Sequence, residues 1–222
     1  GRTSHSAILA RALEIPAVLS IDNITKELID GEVVIVDGTD GSVIASPGSE
    51  EVEKYRELKK SFDDEKKELL KLAGKPTVTA DGRRVELLCN IGKPDDCALV
   101  IERDGEGVGL FRTEFLYMDS KEQPGEEQQF EAYKKAAMTL KGKPVTIRTL
   151  DVGGDKDIPY LGLEKEDNPF MGFRAVRYCI KNQDLYKTQL RALMRASAFG
   201  DIRIMIPLVT CVEEVRAVKK LV

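Results

Sequence analysis

The feature that most constrains this chain is an alternation that begins after residue 77. Short apolar runs, VELLCNI (85–91), GVGLF (107–111), VTIRTL (145–150) and IRIMIP (202–207), read as strands. Helical stretches lie between them, around 94–103, 123–140 and 169–198, with another beginning near Val212. Strands that alternate with helices predict an α/β fold with a parallel sheet built from βαβ crossovers. Four strands fit either an open sheet or the first half of a (β/α)8 barrel. In both, the ligand crevice lies at the C-terminal ends of the strands.

The segment before that alternation differs in kind. Ser4 or Ser6 is placed to cap a short helix through SAILARAL, and PAVLS follows the Pro16 break as a strand. EVVIVDGTDGSVIAS reads as a hairpin, two β-branched runs around a Gly/Asp turn. From Ser49 to about Lys75 the chain becomes a charged amphipathic helix, with Val52, Tyr55, Leu58, Phe62, Leu69 and Leu72 at three- and four-residue steps and one longer gap. Gly74 and Pro76 close it. Charge over most of its surface predicts an interdomain linker in preference to a core helix.

Composition narrows the function classes. Lys and Arg total 34 against 38 Asp and Glu, a net charge of −4, so no global basic excess draws the chain to nucleic acid or anionic lipid. Apolar runs such as VVIV (33–36) and CALVI (97–101) are too short to span a bilayer. Nothing in the first residues reads as a secretory or transit leader. Cys89, Cys97, Cys179 and Cys211 form no C-x-x-C pair, which predicts reduced thiols and a cytoplasmic location. With one histidine, a Cys/His zinc site is not expected. The opening GRTSH lacks an initiator Met and starts within a motif, and the last residues fall inside a helix. Both predict a piece of a longer protein.

Three arginines and one histidine carry the candidate chemistry. His5, in R-T-S-H-S, precedes the helix SAILARAL. A neutral imidazole is nucleophilic and titrates near neutral pH, so it can accept a phosphoryl group and release it. Helix N–H groups and the Thr3, Ser4 and Ser6 hydroxyls would steady the resulting anion. The competing reading is a surface histidine that helps cap a helix. Arg112 follows GVGLF and Arg148 lies near the end of VTIRTL, matching places on successive strands. Guanidinium groups suit phosphate and carboxylate because they are always charged and bond bidentately. The plainer alternative is two salt bridges, Arg112 with Glu114 and Arg148 with Asp151. TLDVGGDKDIP, with Gly153-Gly154 among Asp151, Asp155, Lys156 and Asp157, lacks P-loop or dinucleotide spacing. It serves equally as a plain turn or a functional loop. NPFMGFRAVR (168–177) reads as a helix start, Asn168 the cap and Pro169 in the first turn. Arg174 on it faces either the same crevice or solvent.

Several of these segments together resemble a known family. GRTSHSAILARALEIPAV, GVGLFRTEFLYMD, VTIRTLDVGGDKDIPY, DNPFMGFRAVR and RALMRASAFGDIRIMIP occur in the order found in the Enzyme I family of the phosphoenolpyruvate:sugar phosphotransferase system. The resemblance covers essentially the whole chain. It implies the tail of a swivelling phosphohistidine domain in 1–47, a helical linker in 48–76 and the first half of a phosphoenolpyruvate-binding (β/α)8 barrel in 77–222. It implies that His5 is phosphorylated through Nε2 and that Arg112 and Arg148 hold the phosphate of phosphoenolpyruvate. Asp151 and Arg174 match positions near that site and receive no role. The family's Mg²⁺ ligands, a further phosphate-binding Arg and the Cys that protonates the enolate are expected beyond Val222, and none of the four cysteines here takes that place. The surface that docks the phosphocarrier protein HPr is expected before Gly1, and homodimerisation through the later barrel. These residues alone are then not expected to turn over phosphoenolpyruvate. Two other readings share the motifs: an ATP-using pyruvate phosphate dikinase or phosphoenolpyruvate synthase relative, and a non-enzymatic regulatory module with the same fold.

Overall fold

The structure, a computed structural model, describes Ala10 and residues 15–153, 158–163, 166–168 and 171–222. The helix expected through SAILARAL lies, but for Ala10, outside the described residues. The chain divides into two compact units, Gly1–Leu72 and Ala73–Val222.

In the first unit a single helical turn, α1 (Ile24–Glu27), precedes a hairpin of β1 (Val34–Asp37) and β2 (Ser42–Ala45). The strands are antiparallel, with Val34 opposite Ala45 and Asp37 opposite Ser42. The Asp37 carboxylate closes the turn by accepting the N–H groups of Thr39 (2.8 Å) and Asp40 (3.2 Å), and Gly41 supplies the left-handed residue at φ 77°. The hairpin is as expected; the strand expected at PAVLS is not. Among the described residues no ladder pairs with residues 16–20. Pro16 has no N–H to give, and Ser20 turns the chain at φ 64°. Helix α2 (Ser49–Leu70) starts where Glu51 accepts the Gly48 N–H at 3.1 Å. It buries no residue, and Phe62 is 65% exposed.

The second unit holds the core. Its strands are β3 (Cys89–Ile91), β4 (Val108–Arg112), β5 (Val145–Arg148) and β6 (Ile202–Met205), all parallel and in sequence order across the sheet. Between them run α3 (Cys97–Glu102), α4 (Glu114–Met118), α5 (Glu126–Thr139), α6 (Val176–Lys181) and α7 (Gln183–Ala196), and α8 (Val212–Leu221) follows β6. The parallel α/β sheet expected from the alternation is therefore present. β3 is shorter than the run VELLCNI because Val85 is taken by a local turn, its N–H bonding Thr77 O at 3.0 Å.

Period-two alternation sorts the residues of β5 and β6 onto two faces, and in β4 a register irregularity between Val108 and Phe111 turns both of these inward. Ile91, Val108, Phe111, Val145 and Ile147 are buried against Val100 of α3, Phe130, Tyr133 and Ala136 of α5, and Leu193 and Ala196 of α7. Each large side chain there contributes about 1.5–3 kcal/mol of burial free energy. Asn90, Thr146, Arg148, Arg203 and Met205 fall on the other face and stay exposed or half-buried. The core helices thus cover one face of the sheet.

One expected helix needs correction. Residues 171–175 are not helical, and α6 starts only at Val176. Glu166 accepts the Phe173 N–H at 3.0 Å, the Arg177 guanidinium bonds the carbonyls of Met171 (2.7 Å) and Gly172 (2.6 Å), and Ala175 sits at φ 52°. These contacts hold a turn where capping signals alone predict a helix start. Pro169 is outside the described residues. No described helix is long and apolar enough to cross a membrane.

Candidate functional site

Arg112 and Arg148 are the last residues of β4 and β5, and the two are register partners. Neighbouring strands lie about 4.8 Å apart, so two guanidiniums leave one edge of the sheet side by side. That placement is the one the sequence indicated. Their surroundings differ.

Arg148 is held by carboxylates on both sides. Its Nη2 donates to Glu114 Oε1 at 2.6 Å, and its Nη1 pairs with Asp151 Oδ2 at 2.9 Å. Asp151 also accepts from Arg174, at 2.7 Å from Nη2 and 3.2 Å from Nε. Glu114, Asp151 and Arg174 are all at least nine-tenths buried. Two carboxylates and two guanidiniums form one chain of charge-assisted bonds, which offsets the cost of removing each charge from water. The expected pair Arg148–Asp151 is present, and Arg174 faces this cluster instead of solvent.

Arg112 has no ion pair among the described residues. Glu114, the partner that proximity in sequence suggests, turns to Arg148 on the next strand. The Arg112 guanidinium lies over the Phe115 ring, 4.8 Å from its centroid, a cation–π contact that leaves its charge uncompensated. Among the described residues, neither Arg112 Nε nor Arg148 Nε finds a hydrogen-bond acceptor, although both atoms are buried. Buried donors of this kind are normally satisfied. The uncompensated charge of Arg112 at the strand ends suits an anion.

The loop after β5 is shaped to bring Asp151 to this edge. Gly153 has φ 116°, and a Cβ there would sit 2.6 Å from Arg174 Cβ, so only glycine lets the loop cross the segment that carries Arg174. Gly154, Asp155, Lys156 and Asp157 are outside the described residues, and so is His5, whose expected role has no structural counterpart here.

Beneath the arginines is a buried polar group that the sequence did not flag. Gln189 of α7 accepts the Leu150 N–H at 2.9 Å and donates to Thr113 Oγ1 at 3.2 Å and the Tyr133 hydroxyl at 3.1 Å. A glutamine on the apolar stripe of Leu185, Tyr186, Leu190 and Leu193 was the available signal. Burial pushes the Tyr186 hydroxyl up to about 12, so it stays neutral as it bonds Thr149 at 3.4 Å. Among the described residues no cluster of three or more His, Cys, Asp or Glu side chains could hold a metal ion.

Comparison with known proteins bears on this arrangement directly. The family model described as PEP-utilising enzyme, PEP-binding domain, where PEP is phosphoenolpyruvate, matches residues 66–222. This chain belongs to the PEP-utilising enzymes. The model of their mobile domain matches residues 1–41. The chain is 52% identical over 219 residues to the phosphoenolpyruvate-protein phosphotransferase of Priestia megaterium, covering 99% of this chain and 38% of that protein. It is 51% identical over 221 residues to the protein of the same name from Staphylococcus carnosus, covering 100% and 39%. With the Bacillus subtilis protein of that name the identity is 51% over 219 residues. The chain thus spans about two-fifths of the length of these relatives. Both strand-end arginines and the Asp151 cluster fall in the part matched as PEP-binding.

Proposed function

We propose that this chain is the central part of an Enzyme I, in which His5 takes a phosphoryl group from phosphoenolpyruvate and passes it to a histidine of the carrier HPr, the first step of phosphotransferase sugar uptake. The observation that carries the reading is the pair of register-matched arginines, Arg112 without a carboxylate partner and both with a buried, unpaired Nε proton among the described residues. The names of the relatives support it. Residues 1–47 are assigned to a swivelling phosphohistidine domain, 48–76 to its linker and 77–222 to half of a (β/α)8 barrel. Sequential parallel strands with core helices on one face suit a barrel wall.

In this reading Arg112 and Arg148 bind the phosphate of phosphoenolpyruvate at the strand ends. Arg148 reaches it already oriented by Glu114 and Asp151, and Arg112 brings the uncompensated charge. The Nε2 lone pair of neutral His5 attacks phosphorus as the bond to the enol oxygen breaks in line. The enolate leaves with that electron pair and becomes pyruvate on gaining a proton at carbon. The guanidiniums spread the charge on the transferred oxygens without having to reorganise. The family also uses Mg²⁺. The described residues offer no donor set for it, and no step here runs through the ion. His5 then unloads at another surface, which is the use of a mobile domain on a linker.

The test is donor specificity. The full-length protein is incubated with Mg²⁺ and either phosphoenolpyruvate or ATP plus phosphate, and acid-labile phosphate is mapped by mass spectrometry. Label on His5 from phosphoenolpyruvate only, passed on to HPr and lost in His5→Ala, is the expected result. Label from ATP would move the protein to the dikinase group, and no label from either donor would leave a non-enzymatic module.

A further inference from the structure

Gln189 stands out once hydrogen-bond donors are counted. Its side chain is fully buried on α7, yet it spends no bond on its own helix neighbours. Its carbonyl oxygen receives the N–H of Leu150, two residues after Arg148. Its amide nitrogen donates one proton to Thr113, the residue after Arg112, and the other to Tyr133 of α5. Both hydroxyls have already given their own protons away, Thr113 to the Arg148 carbonyl at 2.8 Å and Tyr133 to Gln129 Oε1 at 3.1 Å. Each can therefore only accept from Gln189, which fixes which way its amide points.

Glutamine is thus the side chain that meets the demand at this point. Asparagine is shorter, a carboxylate has no protons to give, and lysine has no acceptor for Leu150. The bonds do not touch the guanidiniums. They tie the Thr113 hydroxyl, one residue after Arg112, to the Leu150 N–H, two residues after Arg148, just past the ends of adjacent strands.

We propose that Gln189 is a positioning residue for the phosphate site: its amide clasps the ends of β4 and β5 at the spacing at which Arg112 and Arg148 grip one phosphate. The inference rests on the phosphoenolpyruvate reading above. Small displacements of groups that hold a reacting centre are costly, so a loosened clasp shows first in the use of phosphoenolpyruvate. Back-transfer from phosphorylated HPr to His5 does not use the strand ends and is spared.

The experiment uses the full-length protein as wild type, Gln189→Leu and Gln189→Glu. KM for phosphoenolpyruvate and the rate of back-phosphorylation of His5 by phospho-HPr are measured across a pH series. Gln189→Leu leaves one donor and two acceptors unmet, and its KM should rise on the order of tenfold while back-transfer stays near wild type. Gln189→Glu keeps the fold testable if the first variant fails to fold. Its introduced carboxyl is neutral at low pH, where it can still accept from Leu150 and donate once. As pH rises through its burial-raised pKa the donor is lost, so the ratio of its KM to that of wild type should climb with pH. A pH-independent ratio, or equal loss of forward and back transfer, would overturn the proposal. A wild type that takes no phosphate from phosphoenolpyruvate would instead sink the functional reading on which it rests.

Discussion

The ends of β4 and β5 carry the same residue type in the same register, and the protein treats them in opposite ways. Arg148 is fixed by Glu114 and Asp151, and Asp151 is fixed in turn by Arg174. Among the described residues, Arg112 has no ion pair and rests on the Phe115 ring. The difference separates two needs of an anion site. A guanidinium held by carboxylates is placed accurately but largely neutralised, whereas one resting on an aromatic face keeps its charge for the ligand. On the proposed reading, the pair would supply orientation from one strand and attraction from the other.

That comparison can be broken by stability first. Asp151→Ala takes a shared carboxylate from two buried or half-buried guanidiniums and should cost about 3–5 kcal/mol. Arg112→Ala removes an arginine with no ion pair among the described residues and should cost about 1 kcal/mol or less. Urea unfolding of the full-length variants followed by tryptic susceptibility of this region checks both. Equal losses would mean that Arg112 is as structural as Arg148.

A smaller effect sharpens the same contrast. Burial, with the charge of Asp151 adding to it, pushes the Cys179 thiol up to about 12, and its Sγ lies 3.8 Å from the Leu150 carbonyl behind the end of β5. At pH 8 it is protonated and shielded, while Cys211 is exposed. Iodoacetamide should therefore mark Cys211 in the native protein and reach Cys179 faster in Asp151→Ala but not in Arg112→Ala. Equal labelling of Cys179 in both variants would show that the Asp151 cluster does not brace that strand end.

Much of this was legible in the sequence, for identifiable reasons. The four strands show as short apolar runs between helices, and Arg112 and Arg148 stand at strand ends, where parallel α/β sheets place their crevice. Ion-pair partners were less legible because nearness in sequence competes with register: Glu114 is two residues from Arg112, but it faces the arginine of the next strand. Residues 171–175 follow helix-capping signals, yet their turn is imposed by Glu166 and Arg177, which no local capping signal encodes. PAVLS has strand composition, but among the described residues no ladder takes it up. Gln189 passed as one polar residue in an amphipathic helix, since its value lies in Thr113, Leu150 and Tyr133, which are distant in sequence.

The central claim is that the two strand-end arginines serve phosphoenolpyruvate and nothing else in the cycle. The direct measurement is the rate of His5 phosphorylation in full-length Arg112→Ala and Arg148→Ala, forward from phosphoenolpyruvate and backward from phospho-HPr. The account predicts that forward transfer falls by about a hundredfold or more, as for loss of a group that stabilises transition-state charge, while back-transfer stays within about twofold of wild type. Equal loss in both directions would contradict it and return both arginines to a purely structural role.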